Sequence, residues 1–220
     1  MGSKQLLVEG SDDQDFLKAY CEKAGLKSID VFPPKKIDPN SGDGWSNLIN
    51  NLSVLLKKIK EEEGADNLGI VIDADYPPDN NGGFEKRYKL ITDELKKFGY
   101  IVPKKPNYQK GDTFSHNDGL PSVGLWVMPN HKDDGMFESF IAAMIGNADQ
   151  IELLANADKA INNLPNTLFN KKLHQIKAQV FTWRAWQKRP GLPLNKALND
   201  GILDRKHSTV FETWLQSTFK

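Results

Sequence analysis

A chain of 220 residues with 29 basic and 29 acidic side chains has no net charge to draw it to nucleic acid or membrane, so any such partner has to be recognised by local clusters. With 39% hydrophobic residues the chain can bury one substantial core, and its one cysteine, Cys21, excludes an internal disulfide and a cysteine-based zinc site. No apolar run approaches the roughly 18 residues that span a bilayer, and the chain begins on a strand-like run without signal-peptide texture, so the expected setting is cytoplasmic, reducing and free of membrane.

Residues 4–9 (KQLLVE) are a short apolar run ending in an acid and read as a strand. Ser11 then suits an N-cap, and Asp12, Asp13 and Asp15 load the first turn of a helix that runs to about Lys23 and stops at Gly25. Residues 28–32 (SIDVF) predict a second strand, and Pro33, Pro34, Pro39, Gly42 and Gly44 a loop. Apolar residues at 45, 48, 49, 52, 55, 56 and 59 form a helical stripe that predicts a helix over 45–63. Residues 67–73 (NLGIVID) are continuously apolar, as expected of a strand buried on both faces of a parallel sheet.

After a turn-rich loop over 77–83, residues 84–98 are helical by pattern and close at Gly99. Residues 100–102 predict a short strand, 104–120 are weakly patterned, and 123–128 (VGLWVM) are another buried strand. Beyond Asp133 the texture turns helical, over 136–145, 150–162, 171–187 and 209–219. Strands alternating with helices predict an α/β fold with a parallel-sheet core flanked by helices over residues 1–145, and a C-terminal helical extension over 146–220 packed on it.

Parallel α/β sheets bind ligands outside the carboxyl ends of their strands. Two apolar strands end there in acids: Val8-Glu9-Gly10, and Ile72-Asp73-Ala74-Asp75. The chain leaves the strand within Asp73-Ala74-Asp75, so both carboxylates can turn to one rim, and Glu9 meets them if the first and third strands are neighbours. Three carboxylates crowded together repel unless a positive charge lies between them, and a hard cation with oxygen ligands, Mg²⁺ or Mn²⁺, suits them best. Asp12 and Asp15 are expected to be solvated first-turn acids.

LLVEGSDDQDFL, followed some sixty residues on by IVIDADYP, resembles the Toprim pattern of a strand with Glu-Gly and a later strand ending in Asp-x-Asp. Topoisomerases, primases and the overcoming-lysogenization-defect nucleases share that domain, and the resemblance covers residues 4–145 as an ordered set of elements. It implies a Toprim-like fold over 1–145 in which Glu9, Asp73 and Asp75 hold a metal. The nuclease branch is similar further. It has an acid four residues after the first Glu, here Asp13. It also has a Glu opening a helix after the fourth strand, here Glu138 in GMFESFIAAMI, and a downstream Lys, here Lys177 in QIKAQVFTW.

The resemblance implies hydrolysis of a phosphodiester in DNA or RNA. Glu9, Asp73 and Asp75 would hold one cation, Asp13 and Glu138 would share a second about 4 Å away, and Lys177 would neutralise charge in the transition state. By the same analogy a separately encoded ATPase is an expected partner. Between 171 and 206 the chain carries nine Lys/Arg against two Asp/Glu, with Trp183 and Trp186 among them, which reads either as a phosphate-tracking surface or as a solvated helix face over buried tryptophans. Haloacid-dehalogenase-like phosphatases also place Asp-x-Asp after a strand, but their first strand carries Asp and not Glu-Gly. The rival reading is a non-catalytic Toprim-like module that binds nucleic acid or a partner ATPase.

Overall fold

In the computed structural model, which describes residues 4–61, 66–77 and 82–220, five strands form one sheet among those residues. They are β1 (Lys4–Leu7), β2 (Ile29–Phe32), β3 (Asn67–Asp73), β4 (Asp112–Phe114) and β5 (Val123–Met128), in the order β2-β1-β3-β5-β4. The first four in that order run parallel, and β4 runs antiparallel along β5 at the edge. Parallel neighbours need long crossovers. α1 (Ser11–Lys23) joins β1 to β2, and α2 (Trp45–Lys60) joins β2 to β3. α3 (Phe84–Lys97) follows β3, and the chain beyond β5 is helical: α4 (Phe137–Ala143), α5 (Ala148–Asn162), α6 (Lys171–Ala185), α7 (Leu194–Asn199) and α8 (Thr209–Phe219). The architecture is α/β, a mostly parallel sheet flanked by helices and closed by a C-terminal helix.

Alternation along the strands sorts the core into two layers. Leu7, Leu68, Ile70, Ile72, Val123, Leu125 and Val127 face α2 and α3. Leu6, Val8, Val71, Trp126 and Met128 face α1, α4 and the C-terminal helices. Strands that look uniformly apolar therefore serve two cores at once.

α8 lies directly on β3 and β5. Its last turn reaches the sheet because two strand positions lack a side chain. A Cβ on Gly69 would stand 2.8 Å from Phe219 Cζ, and one on Gly124 would stand 2.5 Å from Thr218 Oγ1. Glycine inside a strand often marks such a close approach. The Lys4 ammonium donates to the Phe219 carbonyl and ties the first strand to the chain end.

Several local expectations shift. Gly10, not Ser11, occupies the N-cap of α1, and the Ser11 hydroxyl donates to Asp43 Oδ2 at 2.8 Å. Residues 100–102 make no strand. Tyr100 forms a lone bridge to His116, and the edge strand lies at Asp112–Phe114 inside the weakly patterned stretch. The pattern fails there because a polar residue points inward: the Asp112 carboxylate accepts from His131 Nε2 at 3.0 Å, both side chains buried. His131 Nδ1 accepts from the Val127 N–H at 3.1 Å, which leaves the ring proton on Nε2. α7 carries no expectation from the sequence, and the predicted end of α2 near Glu63 falls outside the described residues. No helix among the described residues is long and apolar enough to cross a membrane.

Gly124→Ala should destabilise the protein by about 1–3 kcal/mol, because Thr218 is β-branched and cannot swing clear. Adding Thr218→Ala should recover part of that loss in urea unfolding. If Gly124→Ala alone leaves the midpoint unchanged, α8 does not sit this tightly on the sheet.

Candidate functional site

In an open parallel sheet the ligand crevice lies where successive crossovers leave for opposite sides. Here that point is the carboxyl edge between β1 and β3, because β2 lies beyond β1 on one side and β5 beyond β3 on the other. β1 and β3 are hydrogen-bonded neighbours, so the condition for Glu9 to meet Asp73 is fulfilled. The Asp73 N–H donates to Glu9 Oε2 at 3.1 Å. The Phe137 N–H, in the first turn of α4, donates to Asp73 Oδ1 at 2.9 Å. The Gly10 N–H donates to Asp13 Oδ2 at 3.1 Å. Each of these three carboxylates is thus held by a backbone donor, two of them near a helix N-terminus where negative charge is favoured.

Glu138, the residue after Phe137, is only 8% exposed. Lys177 Nζ, arriving from α6, stands 3.5 Å from Glu138 Oε1. Glu9, Asp13, Asp73, Glu138 and Lys177 all line one cavity of about 440 Å³. Asp12 lines the same cavity but is exposed, as a solvated first-turn acid should be.

Asp75 stands apart from that set and does not line the cavity. Its backbone is left-handed, with φ +59°, fixed by a pair of backbone hydrogen bonds with Gly135 (Asp75 N–H to Gly135 O, 2.6 Å; the reverse, 3.1 Å). A non-glycine residue rarely adopts that conformation. Its carboxylate accepts from Arg87 Nη2 at 2.6 Å. Arg87 is wholly buried on α3, with its guanidinium 4.1 Å from the Trp45 ring centroid and its Nε donating to the Asp73 carbonyl at 3.3 Å. Its Nη1 is buried and finds no hydrogen-bond partner among the described residues.

The acids raise one another's proton affinity. Burial lifts Glu9 from its ordinary 4.5 to about 7, with the Asp75 charge adding to it and Arg87 opposing. Burial also lifts Asp13 from 3.8 to about 8, helped by Glu9 and Glu138. Asp73 rises well above the usual carboxylate range, again first through burial and then through Glu9, Asp13, Asp75 and Glu138. For Lys177, burial opposes the charged form, but Glu138, Asp73 and Asp13 outweigh it and raise its affinity for a proton. These are the marks of a site lacking positive charge.

The donor set is all carboxylate oxygen, which suits Mg²⁺ or Mn²⁺ and not a thiolate or imidazole metal. Among the described residues, however, no three such side chains converge closely enough as they stand to enclose an ion.

Sequence reasoning passed over three residues of this site, Arg87, Asp43 and Phe181. Arg87 reads as an ordinary helix cation until its burial is known. Asp43 falls in the loop predicted between Pro33 and Gly44, yet it lines the cavity, accepts from Ser11 and lies 3.9 Å from Lys35 Nζ. Phe181 lines the cavity from α6, next to Arg184 of the basic stretch. Of the two tryptophans in the basic stretch, Trp183 is buried and donates to Gln150 Oε1 at 2.9 Å, while Trp186 is 44% exposed.

No curated protein and no solved structure shows a significant match to the chain. The family described as "Protein of unknown function (DUF3226)" matches residues 3–220, and the chain belongs to that family.

Proposed function

We propose that the cavity at the β1/β3 edge binds Mg²⁺ or Mn²⁺ and serves hydrolysis of a phosphodiester in a nucleic acid, as the Toprim-like resemblance implies. One observation carries this reading. Four carboxylates from three parts of the chain (Glu9 and Asp13, Asp73, and Glu138) line a single cavity with a lysine beside them. A fold has no structural need to gather uncompensated acids, and their mutual repulsion opposes folding.

Glu9, Asp13, Asp73 and Glu138 would hold the cation, and Asp75 would join them only by leaving Arg87. The bound cation would supply Lewis acidity toward a phosphate oxygen and a more acidic water. Lys177 would offset charge growing on the phosphoryl oxygens. The resemblance adds a separately encoded ATPase as a partner.

A second reading has its own support. Arg87 already neutralises Asp75, and no three acids converge at ligand distance among the described residues, which favours a module that binds nucleic acid or a partner ATPase without cutting.

Asp73→Asn and Glu9→Gln should each lower Mg²⁺- or Mn²⁺-dependent cleavage of DNA or RNA by about 10²–10⁴-fold while circular dichroism stays unchanged. Wild-type protein that cuts no nucleic acid in either metal would leave only the binding module. Titration calorimetry with Mn²⁺ that shows no heat would remove the metal as well.

A pH profile tests the electrostatics independently. Raised carboxyl affinities mean that the folded state favours the protonated acids. Their contribution to stability is fully present below the ordinary value near 4.5 and is lost as pH rises through about 7 to 8. In EDTA the urea midpoint should therefore fall across that window, Asp73→Asn should flatten the fall, and Mn²⁺ should restore stability at its upper end. A flat profile in the wild type would mean the acids are not electrostatically strained.

A further inference from the structure

We propose that the α6 wall of the acid cavity is a base-stacking platform, so that the polynucleotide it takes is single-stranded. This rests on reading the cavity as a phosphodiester site. His174, Lys177, Phe181 and Arg184 follow one another at intervals of three and four residues and so share one face of α6. Lys177, Phe181 and Arg184 line the acid cavity. Phe169, His174, Lys177, Ala178 and Phe181 line an adjoining cleft of about 400 Å³. Lys177 and Phe181 line both, so the two clefts adjoin at these residues, one holding the carboxylates and the other Phe169.

The core does not require the Phe181 ring. α6 gives Val180 and Trp183 to the interior, whereas Phe181 is left 44% exposed. The Arg184 guanidinium lies 5.1 Å from its centroid and is pinned there by an Nε donation to the Leu192 carbonyl at 2.9 Å. An open aromatic ring flanked by a fixed guanidinium and a lysine, with a second aromatic ring further along, is the combination that binds unpaired strands. Bases stack on the rings and phosphates meet the cations. A duplex offers phosphates but keeps its base faces stacked inside, where Phe181 cannot reach them. With Lys177 next to Glu138, a base stacked on Phe181 would bring its neighbouring phosphate to the carboxylates.

The test is fluorescence anisotropy of the full chain with labelled single-stranded DNA, single-stranded RNA and duplex DNA, in Ca²⁺ to suppress turnover. The wild type should hold at least one of the single strands more tightly than the duplex. Phe181→Ala should weaken that binding about tenfold or more, Phe181→Trp should retain it, and both should keep the wild-type thermal midpoint because the ring is exposed. Equal affinity for single strand and duplex, or wild-type affinity in Phe181→Ala, overturns the platform. Cleavage in Mg²⁺ or Mn²⁺ is read separately. Phe181-dependent single-strand binding without cleavage keeps the platform and removes hydrolysis. Duplex cleavage that is as fast in Phe181→Ala as in the wild type removes the platform and keeps hydrolysis.

Discussion

The parallel pairing of β1 with β3 is the constraint on which the site depends. It sets the end of one apolar strand beside the end of another, and each ends in an acid. Glu9 can reach the Asp73 N–H only because these two strands are neighbours. The same edge is where the crossovers part, so the first turns of α1 and α4 open onto it and bring Asp13 and Glu138. Carboxylates driven together in this way become harder to ionise, which is why burial and neighbouring charge together raise Glu9, Asp13 and Asp73.

Two cations answer that accumulation of negative charge in different ways. Arg87 is fully buried, stacked on Trp45 and paired with Asp75, so its charge is committed to the interior side of the cluster. Desolvating a guanidinium this completely is costly unless its hydrogen bonds are met, and Nη1 remains unmet among the described residues. Lys177 is half-exposed on the cavity wall, with its ammonium 3.5 Å from Glu138 Oε1. The acid cluster is therefore neutralised on one side and left short of positive charge on the side that faces solvent.

Much of the frame was readable from residue patterns. Apolar runs located β1, β2, β3 and β5, and residue patterns located α1 to α3 and, after Asp133, α4, α5, α6 and α8 to within a few residues, but not α7. Glu9 and Asp73 stood out because an acid ending a buried run is chemically unusual. Asp13, Glu138 and Lys177 had no such signal. They came from family resemblance alone, and the structure puts all three on the cavity of Glu9 and Asp73. β4 escaped notice because Asp112 turns inward to His131 and breaks the alternation that marks a strand. The separation of Asp75 from Asp73 was likewise invisible, since it depends on a left-handed backbone fixed by Gly135 and on an arginine fourteen residues after Asp73.

By itself the sequence determined most of the strands and helices, β4 and α7 excepted, and that two buried strands end in acid. Those properties are local: periodicity, propensity and the burial preference of each side chain over a few residues. Only the tertiary structure decided the strand order, the seating of α8 on Gly69 and Gly124, the pairing of Asp75 with Arg87, and the line of Lys177, Phe181 and Arg184 along the cavity. These depend on close packing and charge pairing between residues far apart in the chain, whose energies no local pattern records.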